Sequence, residues 1–266
     1  MFKDLTIGQF YPGNSLMHQL DPRSKIIGML LYMIGLFLIK NPIGYGVVAV
    51  YTIAVMALSQ IPYIVFIKGL KPLWVILLFT VGLHFFMTKG GQVLWQWRFL
   101  QITEGGVKQG LLMAIRLIFL ISVTSLLTLT TTPIVLTDGL EYLMKAVFIP
   151  VAHELAMMMT IALRFIPTLI EETDKIMKAQ LARGADFESG NLIRKARSLI
   201  PLLVPLFLSA FRRADDLAMA MEARCYRGGQ NRTRLKALKM KSGDFAALVL
   251  SFLFFGSCVF FGFVLV

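Results

Sequence analysis

Reactive side chains are scarce in this chain: 266 residues hold two cysteines, Cys225 and Cys258, and three histidines. There is no C-x-x-C pair, and neither residue pair that could begin a metal site is completed. Glu171-Glu172 has no histidine within a helical turn or two, and His153-Glu154 is not followed by a second histidine four residues after the first. A Walker phosphate loop and a G-x-S-x-G elbow are also missing. An enzyme reading, with an intramembrane protease or other membrane hydrolase as its usual form, therefore finds no residues to carry it, and neither metal nor cofactor is expected. Charge is sparse and one-sided, at 16% of residues, with 15 acids against 27 lysines and arginines. No cleavable signal is evident, because the first apolar run begins only after Asp21-Pro22-Arg23-Ser24-Lys25 and shows no small-residue cleavage pattern. Cys225 is expected in the reducing cytoplasm and Cys258 inside an apolar run, so no disulfide is expected.

Hydrophobic residues are abundant, at 57% with a mean hydropathy of +0.72. That composition belongs to an integral membrane protein. A helix needs roughly 20 apolar residues to cross about 30 Å of hydrocarbon. Runs at 26–39, 43–58, 72–87, 107–129 and 245–264 approach that length. Pro42 after Asn41 ends the first and starts the second, since proline suits the first turn of a helix and not its interior. With the N-terminus in the cytoplasm, Lys3, Arg23, Lys25, Lys68, Lys71 and all basic residues between Asp138 and Lys241 lie inside. Lys40, Lys89, Arg98 and Lys108 lie outside, and so does Val266. Arg232, Arg234, Lys236, Lys239 and Lys241 sit just before the last span and count toward this orientation. The net charge of +12 follows membrane topology and accompanies no nucleic-acid motif. The expected partner of the acid-free run from Arg232 to Lys241 is anionic inner-leaflet lipid, at about 1 kcal/mol per basic residue near the surface. The chain is expected in the cell membrane.

The segment 132–241 is too long for a connecting loop and too apolar in places for an ordinary soluble domain. It reads as three helices at the cytoplasmic membrane surface. The first, about 135–148, sets Leu136, Leu140, Leu143 and Val147 opposite Asp138, Glu141 and Lys145. The second covers about 153–183 and the third 201–224, on the order of 45 and 35 Å long. Both long helices have an apolar first half and a charged second half. A further span over 155–170 is the competing reading. Arg164 and Pro167 interrupt it, and an arginine at mid-membrane costs about 2.5 to 3.5 kcal/mol. Met157, Met158 and Met159 either pack in the protein's own core or offer the adaptable surface that flexible thioethers give. Asp174 with Lys178, and Arg212 with Asp215 and Asp216, have the spacing of helix-supporting ion pairs. The expected fold is an all-α integral membrane protein with about five transmembrane helices and three cytoplasmic or interfacial ones. Its expected organisation is four spans in 1–132, a cytoplasmic-side region in 133–244 with long helices 153–184 and 201–225, and a last span in 245–266.

The two long helices end alike, in Ala182-Arg183-Gly184 and Ala223-Arg224-Cys225. One copy is a weak signal, since a base at a helix end ordinarily compensates the dipole. Two copies in parallel contexts point to docking. Arginine presents a fixed fork of donors to carboxylates or carbonyls, and small flanking residues let a partner close around it. Cysteine tolerates a left-handed cap less well than glycine, so Gly228 is the candidate stop for the second helix.

With these paired motifs, and the opening IGQFYPGNSLMHQLDPRSK, the chain resembles over nearly its whole length the T component of energy-coupling factor vitamin transporters, in the shared group II form. The resemblance implies that Arg183 and Arg224 each seat in a groove of one of two ABC-type ATPases. It also implies that the apolar helix halves hold a membrane-embedded, substrate-binding S component, with Met157, Met158, Ile161, Phe165, Leu202 and Leu206 as the expected contacts. ATP would then be hydrolysed by the partners, and vitamin identity would belong to the S component. The alternative is a stand-alone permease or channel with Arg116 as a functional intramembrane charge. Against it stands a structural role for Arg116 toward hydroxyls or carbonyls between helices.

Overall fold

A computed structural model describes residues 10–39, 41–88, 90, 92–97, 100–185, 187, 197–229 and 238–263. Lys3, Lys40, Lys89, Arg98, Arg232, Arg234, Lys236, Val266 and the first three residues of the opening signature lie outside that set. The described helices are α1 (Leu16–Gln19), α2 (Pro22–Leu38), α3 (Pro42–Ser59), α4 (Tyr63–Leu70), α5 (Trp74–Met87), α6 (Glu104–Thr130), α7 (Pro133–Ala146), α8 (Ala152–Ala182), α9 (Ile200–Ala223) and α10 (Ser242–Phe263). A 3-10 turn, Lys71–Leu73, joins α4 to α5. Strands β1 (Val93–Trp97) and β2 (Leu100–Thr103) form an antiparallel hairpin before α6. The hairpin, α1 and α4 are additions to the helices read from sequence, in an otherwise all-helical membrane fold.

Five segments are long and apolar enough to cross a membrane: Pro42–Ser59, Tyr63–Met87, Glu104–Thr130, Ala152–Ala182 and Ser242–Phe263. The set includes α8 and omits the 17-residue α2. At about 25 Å, α2 is near the short end of a spanning helix, yet it packs in parallel along α10. The chain forms two compact units, residues 10–139 with 238–263, and residues 140–229.

In the first unit α2 and α10 start at the same end. Asp21 caps α2, its side chain accepting from Arg23 N at 3.0 Å, with Pro22 in the first turn. Asp244, 2% exposed, ties this start to that of α10. Its Oδ1 accepts from Asp21 N at 2.6 Å and Ser24 Oγ at 3.3 Å, and its Oδ2 from Lys241 N at 2.7 Å. The Asp21-to-Lys25 part of the opening signature is thus the half of a clamp whose other half lies 223 residues away. Further along, Gly28 faces Ser251, Gly35 faces Cys258 and Gly262 faces the Leu38 carbonyl. Small residues at matching intervals let the two helices pack closely where lipid supplies no hydrophobic drive. Tyr32, Tyr51 and Phe254 stack across α2, α3 and α10, with centroids 4.2 to 5.9 Å apart. The buried Tyr32 hydroxyl meets Thr52 Oγ1 at 2.7 Å.

Two expectations take concrete form here. Asn41 caps α3 through its side chain, with Pro42 at the helix start. Arg116 on α6 donates to the Ile39 carbonyl at 3.0 Å, and its guanidinium lies 5.5 Å from the Phe37 ring centre and 5.9 Å from that of Tyr45. It satisfies a carbonyl at the α2 terminus that no helical N–H can reach. Arg116 is therefore a fold-stabilising cap.

Candidate functional site

The second unit contains the two arginine-tipped helices, and both end by the same backbone closure. In α8, Gly184 N donates to Leu181 O and Ala185 N to Gln180 O, each at 3.0 Å. In α9, Cys225 N donates to Glu222 O at 2.8 Å and Tyr226 N to Met221 O at 3.0 Å. This is the Schellman arrangement, in which two otherwise orphaned carbonyls are satisfied by the residues that leave the helix. Arg183 (φ −88°, ψ 5°) and Arg224 (φ −92°, ψ 14°) occupy equivalent cap positions. The next residue takes the left-handed conformation in each, Gly184 at φ +85° and Cys225 at φ +54°. Termination thus happens at Cys225 and not at Gly228, which has its own positive φ of +77° within the following turn. The pair of bonds to the last carbonyls outweighs the cysteine side chain's steric cost.

The same closure ends α7, with Phe148 at φ +59°. Val147 stands there in the arginine's place, so the closure is a general terminator and any docking specificity lies in the side chains. Ala182, Arg183, Gly184, Ala223, Arg224 and Cys225 are all exposed. Neither the Arg183 nor the Arg224 side chain has a hydrogen-bond or ion-pair partner among the described residues.

Helices α8 and α9 lie antiparallel. Gln180 Nε2 donates to Pro201 O at 3.3 Å, pairing the end of α8 with the start of α9. Arg213 pairs with Glu172 at 3.4 Å nearer the middle. Tyr226, just past α9, meets His153 Nε2 at the start of α8 at 3.3 Å. The two arginines therefore sit at opposite ends of the pair, separated by about the length of α9, roughly 35 Å at 1.5 Å per residue. Among the described residues the ion pair of these helices is this interhelical one. Asp174–Lys178 and Arg212 with Asp215 or Asp216, expected from spacing, are not formed.

A buried polar relay steadies the Arg224 end. Glu141 is 3% exposed. Its Oε1 accepts from Lys145 Nζ at 2.7 Å and meets His153 Nδ1 at 3.0 Å. The opposite ring nitrogen of His153 meets the Tyr226 hydroxyl, and a side chain at Gly229 would collide with the His153 ring, 2.6 Å from its nearest atom. Sequence alone gave these residues no joint meaning, because contacts over 12 and 73 positions leave no local pattern.

The apolar halves present continuous stripes. On α9 the outward side carries Leu203, Val204, Phe207, Leu208 and Phe211, with Phe207 61% and Phe211 66% exposed. Leu202 is buried at 7% and Leu206 is half-buried. On α8 Met158 is 58% exposed and Leu155 and Ile166 share its face, whereas Met157, Ile161 and Phe165 are half-buried. The apolar half of α9 was legible in sequence, but the contacts expected there, Leu202 and Leu206, lie on its inward side, since which of two greasy faces turns outward depends on where α8 packs.

Compared with known proteins, residues 13–235 match the CbiQ family, described as cobalt transport protein. The chain is 60% identical over 250 residues to the energy-coupling factor transporter transmembrane protein EcfT of Thermosediminibacter oceani, covering 93% of this chain and 94% of that protein. The EcfT of Clostridium kluyveri is 57% identical over 251 residues, 93% of each chain. That of Bacillus subtilis is 49% identical over 252 residues, 94% of this chain and 95% of the relative.

Proposed function

Since this chain belongs to the family of energy-coupling factor transporter transmembrane proteins, and is a multi-pass membrane component of such a transporter, we propose that it is the coupling subunit that carries ATP-driven motion from two ABC-type ATPases to a membrane-embedded, vitamin-binding S component. The observation that carries the proposal is the repetition of one exposed arginine tip at opposite ends of an antiparallel helix pair. Two equivalent anchors about 35 Å apart suit two separate sockets and are too distant to share one. Each arginine docks in one ATPase, from the cytoplasmic side, where the N-terminus also lies. Closure of the ATPases on ATP draws the anchors together, and the stiff helices convert that movement into a tilt of their apolar halves. The S component seated on the outward stripes reorients and releases its vitamin inside. The chain catalyses nothing itself, and hydrolysis belongs to the ATPases. Coupling of this kind requires each helix to keep its anchor in both nucleotide states.

Arg116 supports this reading over a stand-alone permease, because its charge is used on the Ile39 carbonyl and two aromatic faces. The test is co-expression with the candidate ATPase pair and S component, comparing complex recovery and ATP-dependent vitamin uptake for wild type, Arg183→Ala, Arg224→Ala and the double variant. Assembly or uptake falls in each single variant and most in the double one. Full assembly and uptake in the double variant overturns the mechanism.

A further inference from the structure

The first unit holds a cleft of about 510 Å³ between α1, α2, α3, α6 and the start of α10, unrelated to the arginine tips. Its wall is apolar, with Met29, Val55, Leu127 and Leu250, and its rim carries Lys25 and Lys241. From this combination we propose that the cleft is a binding site for one anionic phospholipid, an acyl chain lying along the wall and the phosphate at the two lysines. The volume lies within the range of small-molecule sites. A transmembrane helix about 10 Å across would fill it with roughly one turn, whereas a single acyl chain is narrow enough to extend along it.

Charge at the rim distinguishes a lipid from plain hydrocarbon. Lys241 is exposed, and Lys25 donates to Thr130 O at 3.1 Å and Thr131 Oγ1 at 2.9 Å, two of the three bonds an ammonium can give. The carboxylate of Asp244 also lines the cleft, but both its oxygens are held by Asp21 N, Ser24 Oγ and Lys241 N. Two ammonium groups against this one carboxylate leave the lining with a net positive charge, and the first turn of α10 adds the favourable end of its dipole.

Native mass spectrometry of the purified full chain, titrated with dioleoylphosphatidylglycerol and separately with dioleoylphosphatidylcholine, tests the site. Wild type is expected to retain one phosphatidylglycerol in preference to phosphatidylcholine. Lys241→Ser weakens that retention about fivefold, the equivalent of one basic residue near a lipid phosphate. Ala247→Phe, which places a ring in the cleft, abolishes it, and Lys108→Ser, exposed near the start of α6 and outside the lining, leaves it unchanged. Lys241→Ser lies at an exposed position, so its result stands even if Ala247→Phe fails to fold. Equal retention of the two lipids, retention that survives Lys241→Ser, or equal loss in Lys108→Ser overturns the proposal. So does a photoreactive residue at Leu127 that captures a protein chain in native membranes instead of lipid.

Discussion

At the residue scale, the two tips differ in one atom set with a measurable consequence. Gly184 and Cys225 hold the same left-handed position, and a side chain there costs about 1 to 2 kcal/mol. Cys225→Gly is expected to stabilise the protein by about 1 kcal/mol, and Gly184→Ala to destabilise it by a similar amount, read as opposite shifts in thermal midpoint of the purified protein. Shifts of the same sign would show that the αL requirement is not shared. Asp244 is a second single-residue test. Asp244→Ala strands the buried Asp21 N–H and removes the acceptor of the Lys241 N–H, while the Ser24 hydroxyl keeps the Asp21 carbonyl. It is expected to cost about 3 kcal/mol, in keeping with loss of hydrogen bonds to a charged group. A loss no larger than that of a surface substitution would dismiss the clamp.

At the scale of elements, the pairing of α2 with α10 depends on what the facing atoms can yield. A Cβ at Gly262 would stand 2.6 Å from the Leu38 carbonyl oxygen, which is backbone and cannot move aside, whereas one at Gly35 would stand 3.2 Å from the Cys258 side chain. Gly262→Ala is therefore expected to be the more damaging, by about 1 to 3 kcal/mol, and Gly35→Ala the milder, in thermal or denaturant unfolding. The reverse order would place the tight contact elsewhere. The element scale also shows where sequence reading succeeds. The spans at 26–39, 43–58, 107–129 and 245–264, and the long helices at 153–183 and 201–224, lie within a few residues of α2, α3, α6, α10, α8 and α9, because apolar runs, Asn41-Pro42 and the helix-ending motifs are local signals. The hairpin at Val93–Thr103 was not legible, since its strands are only five and four residues long.

For the whole molecule, the proposed division of labour between tips and stripes makes the two separable. Phe207→Glu with Phe211→Glu places charge on the exposed α9 stripe. It is expected to lower S-component recovery at least tenfold, consistent with burying unpaired charge in an apolar interface, while ATPase recovery persists. Arg183→Ala with Arg224→Ala has the opposite pattern in the same affinity pull-down. Loss of both partners in either variant would mean that the second unit unfolds or acts undivided. Membrane class, the approximate helices and the arginine tips came from the sequence by itself, because composition, periodicity and capping are properties of neighbours along the chain. The opposed placement of those tips, the Asp21–Asp244 clamp, the Glu141–His153–Tyr226 relay, the outward face of α9 and the lysine-rimmed cleft were decided only by tertiary structure. Each depends on distant segments being brought within a few ångströms, and no local pattern encodes that distance.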